Sequence, residues 1–230
     1  MKTYPMIAMC GVLVLTFGMM PAAVNADPTP TGSVIYNGQL LAGTNFTPGA
    51  NENPDVQVYL ENAGLTLSSA LFVDRIGPNF GNVFSGTSGT LAAGTQVTDY
   101  LFHYDFPGMG NGNQTSGTIT FNAPILGLEI FTTALDASDS TFAVPGVTYF
   151  LGPDRGLEKF INSPNGVDDF SVSGDQLTYN IDSWSTTDGI DEIRVITAVP
   201  EPSTALPALL AAGVVGVLWA RRWRSAKVRC

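Results

Sequence analysis

The chain has 230 residues, 20 acidic against 10 basic, with 25 glycines, 15 prolines, two cysteines and one histidine. No acidic residue precedes Asp27 or follows Glu201, so residues 27–199 hold 19 acids and four bases, a net charge of −15. Such a surface repels a phosphate backbone and excludes nucleic-acid binding. Zinc sites built on paired histidines are excluded as well.

The first 26 residues form a unit of their own. Lys2 opens it, an apolar run follows over residues 6–20, and Val24 and Ala26 supply small side chains three and one positions before the expected cut. That order defines a secretory signal peptide and its helix, removed after Ala26 by signal peptidase following Sec export. The run falls short of the roughly 20 residues a membrane span needs. Cys10 lies ahead of most of it, which is the wrong place for a lipoprotein cysteine. Cys10 and Cys230 both fall in segments expected to be removed, leaving a mature domain without thiols or disulfides.

Residues 27–199 are long enough for one domain that buries about 70 % of its extended-chain surface. Glycine and proline recur at short intervals and leave little room for helices of ten residues or more. Two-residue alternation takes their place. Expected strands lie at 33–36, 55–61, 71–74, 97–106, 117–121, 126–131, 170–173, 176–182 and 192–197. Turn signals such as Asn37-Gly38 and Pro145-Gly146 separate them. Residues 157–162 could form one helical turn. The pattern predicts an all-β domain, a two-sheet antiparallel sandwich of jelly-roll type.

Within that domain the chemistry-bearing residues are sparse. His103 faces with Leu101 and Asp105, away from the aromatics, and reads as a surface or sheet-face histidine; a Ser-His-Asp triad could be drawn only through it. Tyr100, Phe102, Tyr104 and Phe106 alternate on one strand, as in a central core strand or, alternatively, a sugar-stacking platform. Acidic groups at Asp136 and Asp139, at Asp168 and Asp169, and at Asp188, Asp191 and Glu192 lie in or beside expected loops. Asp188 and Asp191 are the better candidates for calcium, although no EF-hand spacing is present.

The last 31 residues have three parts. Pro200, Glu201 and Pro202 sit in a stiff extended segment. Residues 204–220 read as a short membrane helix, and the tail at 221–230 carries Arg221, Arg222 and Arg224 for the cytoplasmic side. This end resembles the PEP-CTERM sorting signal, a family in which an exosortase, a membrane-embedded peptidase, recognises the motif and releases the protein to the surface or the exopolysaccharide matrix. The resemblance implies recognition roles for Pro200, Glu201 and Pro202. It also implies a transient inner-membrane anchor and a final location at the cell surface or in the matrix. Residues 101–197 resemble, more loosely, PEP-CTERM proteins of unassigned activity, through Tyr100–Asp105, Ser116–Phe121, Leu135–Ser140, Arg155–Glu158 and Asp191–Thr197. The expected function is a non-enzymatic surface or matrix protein. The alternatives are a carbohydrate-binding module assisted by calcium and, behind it, a hydrolase.

Overall fold

A computed structural model describes residues 27–107, 113–153, 155–157, 168–183 and 190–200. The chain divides into a compact unit, Asn25–Glu201, and a second made of Met1–Val24 with Pro202–Cys230. The signal helix, Ala26, the 204–220 helix, Arg221, Arg222 and Arg224 all lie outside the described residues. Among those residues no helix is long and apolar enough to cross a membrane.

The described residues are mostly β. In chain order the strands are β1 (Thr29–Gly32), β2 (Val34–Gln39), β3 (Val56–Thr66), β4 (Leu71–Val73), β5 (Arg75–Ile76), β6 (Gly89–Leu91), β7 (Gln96–Tyr104), β8 (Asn113–Thr120) and β9 (Ile125–Glu129). One helix follows, α1 (Thr132–Phe142), and then β10 (Asp169–Ser173), β11 (Gln176–Ser183) and β12 (Asp191–Ala198). They assemble into a four-stranded sheet, β1-β8-β11-β10, a six-stranded sheet, β2-β3-β7-β12-β9-β5, and a ribbon, β4-β6.

The alternation seen in the sequence fixes which residues meet between the two large sheets. Val56 and Val58 of β3, Tyr100, Phe102 and Tyr104 of β7, and Ile193 and Val195 of β12 project from the six-stranded sheet. They share one buried cluster with Ile119 of β8, Phe170 of β10, and Leu177, Tyr179 and Ile181 of β11. Phe102 meets the Tyr179 ring edge-on at 6.1 Å, and the Tyr179 hydroxyl donates to the Ser33 carbonyl at 2.7 Å. This is the layering expected of a sandwich.

Two expectations about topology need correction. The sheets are not antiparallel throughout, because β2 runs parallel to β3. Nor do they match a jelly roll, which divides eight strands into two sheets; here six and four strands are accompanied by a ribbon. The helix is a third departure. No element is expected over Thr132–Phe142, where Asp136 and Asp139 read as lying in or beside a loop; residues 158–162 of the expected helical turn fall outside the described residues.

The other face of the six-stranded sheet is buried too. At one end the β4–β6 ribbon covers it, with Leu71, Val73 and Leu91 packed on Val97, Phe142 and Ile196. Elsewhere Leu40 and Phe46 close over Tyr59 and Leu101, joined by Val144, Val147 and Tyr149. Helix α1 lies between these covers, burying Ala134, Leu135, Ser138 and Phe142.

Candidate functional site

On this second face the strands carry charge where a half-exposed sheet would meet water. Register sets the side chains in rows: Gln57, His103 and Glu192 in one, and Tyr59, Leu101, Arg194 and Glu129 in the next. His103, Glu129, Glu192, Arg194 and Arg155 are all fully buried. A buried charge is tolerated only when paired and hydrogen-bonded, and two arginines supply the pairing.

Arg194 holds Glu61 in a two-pronged pair, Nε to Oε2 at 2.7 Å and Nη2 to Oε1 at 3.2 Å. Its guanidinium also donates to Asp139 at 2.9 Å, to Glu129 at 3.3 Å and to the Ser138 hydroxyl. The Ser138 hydroxyl in turn donates to Glu129. Arg155 grips the opposite side of the same helix surface, bonding Asp136 at 3.0 Å and Asp139 at 2.6 and 3.1 Å, and it reaches Glu192 at 2.6 Å. Glu192 accepts a further contact from His103 Nδ1 at 3.0 Å. The Tyr149 hydroxyl donates to Glu61 at 2.8 Å. One network therefore ties β3, β7, β9, β12, α1 and the 149–155 segment together.

Its electrostatics follow from the geometry. Burial opposes the charge on Arg194, but Glu61 and Glu129 outweigh it and raise its pKa. Arg155 is raised in the same way, by Glu192 and Asp139 against burial. Burial lifts the Glu129 carboxyl from its ordinary 4.5 to about 7, with Arg194 and Ser138 pulling the other way. Asp99 is pushed up well above the carboxylate range by burial first and then by Glu61.

This arrangement corrects several expectations. His103 is a sheet-face residue but not a surface one: it is 0 % exposed, and its ring sits 4.7 Å from that of Phe46. Asp136 and Asp139 are on a helix rather than in a loop; Asp136 Oδ1 and both carboxylate oxygens of Asp139 accept from arginines. Asp169 opens β10, and Asp168 is buried beside it. Tyr100, Phe102 and Tyr104 are core residues, at most 3 % exposed, so they offer no platform for a sugar ring. Of the calcium pair, Asp191 begins β12 opposite Tyr104 and is buried, whereas Asp188 lies outside the described residues. Among the described residues no three His, Cys, Asp or Glu side chains come together in a way that could hold a metal ion.

The arginine network went unseen because a strand carrying Glu192 and Arg194 opposite Ile193 and Val195 reads as solvated on one face. One signal was available. The polar-facing side of β7 carries Val97 and Leu101 as well as Asp99 and His103, a mixture suited to a face that is covered.

The second functional element begins where this sheet ends. Ala198, the last residue of β12, pairs with Val97, and its amide donates to the Pro124 carbonyl at 2.9 Å. Val199 and Pro200 follow, half-buried, while Glu201 and Pro202 lie outside the described residues. Residues 198–222 match the family model described as the PEP-CTERM protein-sorting motif. The match spans Pro200, Glu201, Pro202, Arg221 and Arg222 and leaves the β domain unassigned. No curated protein matches the chain, and no solved structure does. The chain thus carries a sorting motif that implies export, exosortase processing and delivery to the cell surface.

Proposed function

We propose that the protein is a non-enzymatic component of the bacterial surface or its exopolysaccharide matrix. It is exported through Sec, held briefly in the inner membrane by residues 204–220, and released by an exosortase acting near Pro200, Glu201 and Pro202. The observation that carries this reading is the motif match over residues 198–222. The state of the domain's titratable groups supports the non-enzymatic part. The chain's one histidine is buried against Phe46 and bonded to Glu192, and the carboxylates around it are held by Arg155 and Arg194. Catalytic groups need access to a substrate, and His103, Glu61, Glu129 and Glu192 are buried.

The test is the intact mass of the protein from its native host, with cells fractionated into membrane, matrix and medium. A species beginning at Asp27, ending near residues 200–202 and recovered from matrix or medium is the expected result. A species that keeps residues 221–230 and stays in the membrane would refute processing and leave a permanently tethered domain.

A further inference from the structure

The sorting motif follows directly on a central strand, with no linker between. β12 is hydrogen-bonded on both sides, to β7 and to β9, up to its last residues. An extended chain advances at most about 3.6 Å per residue, so Pro200 lies within about 7 Å of Ala198. Any protein that grips Pro200, Glu201 and Pro202 in a pocket must therefore also touch the end of the β domain.

That end is built from four connections. The β3–β4 link and the β6–β7 turn are joined by Leu67 and Gly94, which bond through N–H and carbonyl at 2.8 Å. The β8–β9 link meets the β10–β11 turn where the amides of Phe121 and Ile125 donate to Asp175 and Gly174. Beside them the β4–β6 ribbon, whose inner residues pack on Ile196, turns Phe72 outward at 55 % exposure. The exposed residues of these connections include Ser69, Ala92, Ala93 and Pro124, none of them charged. Among the described residues the exposed acids at this end are Asp27 and Asp175. At the opposite end Glu52 and Asp169 are exposed and Asp55 is half-buried, whereas Asp105, Asp168 and Asp191 are buried.

We infer that this end, with Phe72 and Ala93 on it, is a docking surface for the peptidase that reads the motif. The peptidase then recognises a folded β-sheet end together with the Pro-Glu-Pro segment. The inference rests on the sorting reading above. An exposed aromatic side chain beside small uncharged residues is the composition expected of an interface core. The alternative occupant is the lipid surface itself.

The experiment uses the full chain in its native host, with loss of residues 203–230 followed by pulse-chase. Phe72→Asp and Ala93→Asp place a charge in the interface and are expected to slow processing at least about tenfold. Leu151→Asp, at a side chain 70 % exposed in the segment beyond the far end of β9, leaves the rate unchanged. A flexible six-residue insert between Ala198 and Val199 separates motif from domain, and in that background Phe72→Asp has no further effect. A photo-crosslinking residue at position 72 or 93 yields an adduct that mass spectrometry identifies as the peptidase. Parent-like rates for both charged variants overturn the docking surface, as does an adduct with lipid, which assigns the surface to the membrane. If the parent chain itself keeps its C-terminus, the sorting reading fails and takes this inference with it. Melting temperatures equal to that of the parent exclude misfolding as the cause of slow processing.

Discussion

Arg194 shows how one side chain can hold a domain together at a cost that depends on its partners. It is fully buried and contacts Glu61, Glu129, Ser138 and Asp139. Its guanidinium lies 5.3 Å from the Phe142 ring. Removing it leaves buried carboxylates without a counter-charge, a change that typically costs about 3–5 kcal/mol. Arg194→Ala is therefore expected to lower stability by that amount in urea denaturation, and an unchanged midpoint would disprove the clamp. Glu129 gives a prediction of opposite sense. Its folded pKa of about 7 stands above its ordinary 4.5. Between those values the folded state holds a proton that the unfolded chain has released. The Glu129 contribution to stability is thus fully present below pH 4.5 and is lost as pH rises through about 7. Full loss amounts to roughly 3 kcal/mol. Glu129→Gln, which keeps a neutral side chain at every pH, should flatten the stability profile between pH 5 and 8. A variant profile parallel to the parent's would show that Glu129 does not titrate there.

At the scale of elements, α1 is a helix made by its surroundings. Its sequence, TTALDASDSTF, is rich in Thr, Ser and Asp, which favour caps and turns over helix interiors. It has no acidic residue in its first turn, no basic residue in its last, and no side-chain N-cap bond. What fixes it is burial of Ala134, Leu135 and Phe142 and the two arginines that take Asp136 and Asp139. A peptide covering Thr132–Phe142 should accordingly show a coil spectrum by circular dichroism, since short helices without tertiary packing are marginal in water. In the intact domain, Leu135→Ala should cost about 2–5 kcal/mol through the cavity it leaves. Gly156 contributes at the same junction. A side chain there would sit 2.6 Å from the Ile130 carbonyl oxygen and the Thr132 amide nitrogen, where only hydrogen fits. It lets the chain carrying Arg155 run beside β12, where Gly156 bridges Glu192.

For the whole molecule, the position of β12 decides where the chain can be cut. This strand lies between β7 and β9 and supplies Ile193, Val195 and Ile196 to two core clusters. Among the described residues, those clusters draw on none that follows Ile196. A chain spanning residues 27–200 should therefore melt cooperatively, and one ending at Arg194 should not fold, because half of a central strand is gone. Equal melting of the two would mean that β12 is dispensable.

Much of this was legible in the sequence, for identifiable reasons. The strands at Val56–Thr66, Gln96–Tyr104, Gln176–Ser183 and Asp191–Ala198 announce themselves because a strand exposes alternate residues to a core, and that period is written locally. The sorting motif is local as well, since a peptidase reads consecutive residues, and Pro200, Glu201 and Pro202 stand within the matched segment. Three features were not legible: the pairing of β2 with β3, the helix at Thr132–Phe142, and the burial of His103, Glu192 and Arg194. Each depends on residues far apart in the chain, as when Arg194 meets Glu61 across 133 positions. Sequence alone determined the address, the β character and the inner face of each main strand, because each is a property of neighbouring residues. Tertiary structure decided that the outer face is also an interior, because only the closing of α1, the ribbon and the segments carrying Phe46 and Tyr149 over the six-stranded sheet removes water from those charges and makes arginine their required partner.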